Sequence, residues 1–105
     1  MKKGTNTPPP VADFTNFGFD SNWVSGTVGG YTFEAKLFDD PSPFGIAKGR
    51  VSKLAIYDPI AQKQVVNYDR GWDIKPADGI KAYHNAVMKL LESSPRRFDF
   101  ENAKN

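Results

Sequence analysis

A chain of 105 residues and 11.7 kDa has room for one hydrophobic core and not two. With no cysteine and a single histidine, His84, it offers no disulfide framework, no thiol nucleophile, and no cysteine or multi-histidine metal site. Lys plus Arg number 14 against 12 Asp plus Glu, a formal charge of +2 that is too mild for a broad polyanion-binding surface.

The N-terminal stretch Met1-Lys2-Lys3-Gly4 leads into Pro8-Pro9-Pro10 rather than into an apolar segment, so no secretory signal is expected and a cytoplasmic location is. No apolar run reaches the ~18 residues of a membrane span. Three successive prolines favour an extended polyproline conformation. Residues 1–22 are therefore expected to be an extension, in part disordered. Phe14, Phe17 and Phe19 are too apolar for a solvated linker. They are expected to cover a sheet edge or face, or to dock on a partner.

The domain proper is expected over residues 23–94. Trp23–Val28 and Tyr31–Phe38 are β-prone runs separated by Gly29-Gly30, a hairpin signal because such turns need positive φ. Tyr31, Phe33, Ala35 and Leu37 alternate with Thr32, Glu34 and Lys36, the period of two of a half-buried strand. Residues 39–49 hold two prolines and two glycines and read as a loop. Arg50–Tyr57 and Gln64–Arg70 read as a second hairpin. Val51, Ala55 and Tyr57 are expected on the face opposite Leu54 and Ile56, which leaves that second face not cleanly polar.

After Pro76 the period changes. Ile80, Tyr83, Val87, Leu90 and Leu91 form one helical stripe, with Asp78 as the expected N-cap and Ser93-Ser94-Pro95 as the stop. Residues 95–105 are expected to be a flexible tail. The fold class expected is α+β, a four-stranded antiparallel sheet in the order β-β-β-β-α with one C-terminal helix on one face.

Two segments carry the candidate binding chemistry. Lys48, Arg50 and Lys53 place three cations in six residues beside Gly45 and Gly49, a composition that can present N–H groups and charge to an anion. The spacing is not that of a phosphate-binding P-loop. In Asn67–Asp73, Arg70 is a candidate bidentate donor, with Tyr68 and Trp72 as stacking surfaces. The structural alternative has Asp69 or Asp73 pairing Arg70, Gly71 taking positive φ, and Trp72 plugging the gap between sheet and helix. Lys48, Arg50, Lys53, Tyr68 and Arg70 form a nucleic-acid or nucleotide site only if they converge around an open aromatic surface. No serine sits in a nucleophile-elbow pattern, and His84 is expected at the helix boundary rather than in catalysis. No enzyme activity, cofactor or metal is expected. A non-enzymatic binding module is, with a protein partner or a second copy of the chain as the first expectation and nucleic acid or a nucleotide as the alternative.

Four runs together, Gly26–Lys36, Ser42–Ile46, Gly49–Leu54 and Asn67–Asp73, resemble a family of small uncharacterised proteins of Gram-positive bacteria and their phages. The resemblance covers roughly residues 23–91. It implies a short stand-alone domain, often found in mobile elements, and brings no catalytic residue with it.

Overall fold

A computed structural model describes residues 9–18 and 21–96. Six strands form one antiparallel meander in sequence order: β1 (Ala12–Phe17), β2 (Trp23–Val28), β3 (Tyr31–Leu37), β4 (Val51–Asp58), β5 (Lys63–Asp69) and β6 (Trp72–Ile74). One helix, α1 (Lys81–Glu92), follows and packs mainly over β1, β2 and β4. The architecture is the expected α+β arrangement, but with six strands instead of four.

The two extra strands lie at the edges. β1 pairs with β2 and takes residues 12–17 of the N-terminal extension into the sheet. Phe14 and Phe17 pack against the core, their rings 5.1 Å apart edge to face, and Phe14 also meets Phe33 at 6.4 Å. The two phenylalanines therefore do cover the sheet, as a paired strand; Phe19 lies outside the described residues. At the other edge, β6 is three residues long and ends before Lys75-Pro76, where proline removes a ladder donor.

Cross-strand register sorts the side chains. On the helix side Val24, Ala35, Leu54 and Tyr68 stand opposite one another across β2 to β5, beside the row Gly26, Phe33, Ile56 and Val66. Gly26 is required there: a Cβ would lie 2.1 Å from the Asp13 carbonyl oxygen and 2.6 Å from the Phe33 ring. On the other side the rows read Trp23–Lys36–Lys53–Asp69, then Ser25–Glu34–Ala55–Asn67, then Thr27–Thr32–Tyr57.

Register shifts at Thr15, Ser52, Val65 and Asp73 each leave one residue without a partner, and such bulges add twist. The one at Ser52 corrects the expected position of Val51. Val51 stands opposite Leu37 and is fully buried on the helix side, so only Ala55 and Tyr57 of the expected trio face the other way.

The hairpin turn at Gly29-Gly30 is present, with Gly29 at φ 57 and packed under the Tyr83 ring. Tyr83 in turn meets Tyr31 at 4.8 Å, fixing the turn to the helix. The helix is shorter than its apolar stripe. Its N-cap is Ile80 with no side-chain cap; Asp78 instead pairs with Lys81 at 3.1 Å. His84, Val87 and Leu91 are its buried residues, while Ile80, Tyr83 and Leu90 flank them half-buried.

Candidate functional site

Arg50 lies at the end of the 39–50 loop, where the chain turns into β4. Its side chain runs beneath the C-terminus of α1 and is buried. Nε donates to the Phe38 carbonyl at 2.8 Å, and Nη1 donates to the carbonyls of Glu92 and Ser94. Its backbone N–H donates to Glu92 Oε2 at 2.8 Å. The last carbonyls of a helix are unpaired and carry the negative end of the dipole, so a guanidinium there is a C-terminal cap. Arg50 is thereby a fold residue, withdrawn from any external anion.

The other cations separate as well. Lys48 sits exposed at the end of a single 3-10 turn (Ile46–Lys48), with Ala47 and Lys48 both in the left-handed region. Lys53 faces the side of the sheet away from the helix and lies 3.7 Å from Asp69 Oδ1. Arg70 Nε reaches the same oxygen at 3.4 Å. Asp69 is therefore the partner of Arg70, while the positive φ falls on Arg70 itself (57°) and not on Gly71. Tyr68 is buried on the helix side, and its hydroxyl donates to the Phe44 carbonyl at 2.8 Å. Lys48, Arg50, Lys53, Tyr68 and Arg70 thus do not converge. One is a helix cap, one is a core tyrosine, two share a carboxylate and one stands on a loop.

What gathers around Tyr68 is aromatic. The Trp72 ring packs edge-on against it at 5.0 Å and against His84 at 5.5 Å. Trp72 does fill the gap between sheet and helix, yet keeps 38% of its surface exposed. Phe44, whose carbonyl Tyr68 holds, is 65% exposed. Tyr68 therefore contacts the Trp72 ring from β6 and the backbone of the loop residue Phe44, both of which keep exposed aromatic surface. They were not legible as a pair, because Phe44 and Trp72 are related only through Tyr68, whose bond to the Phe44 carbonyl spans 24 residues. Arg70 and Lys48 supply positive charge to this end of the molecule, and Asp69 and Asp73 negative charge.

His84 is buried rather than at the boundary, its Nδ1 has no hydrogen-bond partner, and desolvation holds its pKa below 6.5. The neutral ring completes the packing of Trp72. Among the described residues no group of three or more His, Asp or Glu is placed to hold a metal ion, and no helix is long and apolar enough to cross a membrane.

A family model, a domain of unknown function (DUF7678), matches residues 22–92. The chain belongs to the DUF7678 family. The match takes in β2 to β6 and α1 whole, together with Arg50, Tyr68 and Trp72, and leaves β1 outside. Comparison with curated proteins and with solved structures returned no match. The matched segment of this chain is thus five strands and one helix, with β1 from the N-terminal extension as an edge strand outside it.

Proposed function

We propose that this DUF7678 protein is a small non-enzymatic binding module that associates with a second copy of itself through the aromatic rim of Phe44 and Trp72. The observation that carries the reading is the exposure of both residues, 65% and 38%, each tied to the buried Tyr68, Trp72 through its ring and Phe44 through its backbone carbonyl. Exposed aromatics on rigid supports are characteristic of protein contacts. A two-fold contact needs a self-complementary patch, and this end of the molecule carries both signs, Arg70 and Lys48 with Asp69 and Asp73. The dispersal of the cations gives no support to a basic-loop nucleic-acid site. The setting we propose is the cytoplasm of a Gram-positive bacterium or its phage, in keeping with the four sequence runs.

The test is sedimentation equilibrium on the whole chain over a concentration series. A dimer forming at about 10–100 μM is expected. Phe44→Asp, at a side chain the core does not use, should return the chain to a monomer at the same concentrations. A wild-type chain that stays monomeric to about 1 mM overturns the reading.

A further inference from the structure

The sheet has a second face, opposite α1 and the 39–50 loop, which no described element covers. Its central feature is a trough. One end is a hollow of about 230 Å³ bordered by Trp23, Lys53, Asn67 and Asp69. The other is a hollow of about 400 Å³ bordered by Ser25, Thr27 and Thr32. Glu34 and Ala55 border both, so the two hollows adjoin across the middle of the sheet. The short Ala55 side chain makes the floor.

Three properties define what fits. First, Trp23 stands 41% exposed at one end, a broad ring that the core does not need. Tyr57, 39% exposed, marks the far row. From Lys53 to Tyr57 is four residues along β4, about 13 Å at the usual rise. Second, this face carries both signs: Glu34, Asp69 and Lys53 line the trough, and Lys36 stands beside it opposite Lys53. Lys36 and Lys53 stand directly opposite each other, an unfavourable pairing relieved as Lys53 turns to Asp69 and Lys36 lies over the Phe38 ring at 5.6 Å. A polyanion would meet two carboxylates here, and a polycation two ammonium groups. Third, the remaining groups are hydroxyls and amides. Asn67 donates to Gln64 Oε1 at 2.9 Å, which fixes its amide and leaves the carbonyl oxygen to accept.

A neutral ligand with an apolar ring face for the indole and many hydroxyl groups for the carboxylates, amide and threonines satisfies all three. We infer that the trough is a binding site for a short neutral oligosaccharide, with one pyranose ring stacked on Trp23 and its hydroxyls on Glu34, Asn67 and Asp69. The trough lies on the face opposite α1 and Tyr68 and shares only Asp69 with the surface proposed for self-association, so the inference does not rest on that reading.

Isothermal titration of the whole chain with cellopentaose, chitopentaose, mannopentaose and maltopentaose tests it. At least one should bind with a Kd of about 0.1–1 mM. Trp23→Ala removes the platform and Ala55→Leu fills the floor; each should weaken binding at least ~10-fold, while Lys81→Ala, at an exposed residue of α1, leaves it unchanged. Far-UV circular dichroism and the urea midpoint check that both trough variants remain folded. Absence of heat with all four sugars at about 10 mM overturns the inference. So does sugar binding that survives both substitutions, or Trp23-dependent, salt-sensitive binding of oligo-dT in place of the sugars.

Discussion

The guanidinium of Arg50 shows how little a residue's neighbours in sequence reveal of its task. It sits between Lys48 and Lys53, which read as a cationic loop, yet its partners are carbonyls 12 to 44 positions away. Hydrogen bonds from a charged donor are worth about 1.5–3 kcal/mol, and the released carbonyls would be left without a donor. Arg50→Met should lower stability by about 3 kcal/mol in urea denaturation, and Arg50→Lys by nearly as much, because an ammonium cannot span the fork. Lys48→Ala, on the exposed turn, should shift it by under ~0.5 kcal/mol. Equal effects at the two positions would contradict the capping role. His84 sets a second residue-scale expectation. Its folded pKa is lowered, so below 6.5 the unfolded chain takes up a proton that the folded chain refuses. Stability from this group is full above pH 6.5 and declines as pH falls from there towards the lowered folded value. His84→Leu should flatten the urea midpoint between pH 7 and 5.5, a window above ordinary carboxylate titration.

At the scale of elements, legibility followed regularity. The β2–β3 hairpin was readable because its glycine turn and its period of two agree. β1 was not, because the unpartnered Thr15 between Phe14 and Phe17 breaks the alternation that marks a strand. The same kind of shift at Ser52 moved Val51 to the core side and made the second face more polar than its sequence suggested. β6 is too short to show any period, and Asp78 was misread as a cap because a carboxylate before a helix can equally pair with the lysine three residues on. Of the candidate site, the Tyr68–Trp72 segment was visible as composition, whereas its partner Phe44 needed the fold. The β1–β2 pairing rests on Gly26 having no side chain. Gly26→Ala should cost about 2–3 kcal/mol, since a Cβ there meets backbone and a buried ring. Gly30→Ala, with nothing within 4 Å, should cost under ~1 kcal/mol. Urea midpoints of the two variants make the comparison, and similar values would place β1 further from β2 than described.

For the whole molecule, the central question is why the five strands of the matched segment should carry a sixth. Helix α1 packs over β1 as well as β2 and β4, so the sheet under the helix extends one strand beyond the matched residues. Without β1, the helix would overhang the edge of β2, and Val28, Phe33 and the helix residues facing them would gain solvent. A domain of this size has little stability to spare from burial alone. Ala12, Phe14 and Phe17 therefore act as a side wall of the core, and β1 relieves the pairing edge that β2 would otherwise present. Two consequences separate this role from that of a decorative tail. Removing residues 1–17 should lower stability by at least ~3 kcal/mol, the scale of losing two partly buried aromatic side chains, and should leave the shortened chain prone to concentration-dependent association through β2. In the full chain, amide hydrogens of β1 should exchange together with those of β2 and β3, as one cooperative unit. An unchanged urea midpoint for the shortened chain, or β1 amides that exchange at the rate of an unpaired segment, would mean that the five-stranded unit is sufficient and the sixth strand rests on it without supporting the core.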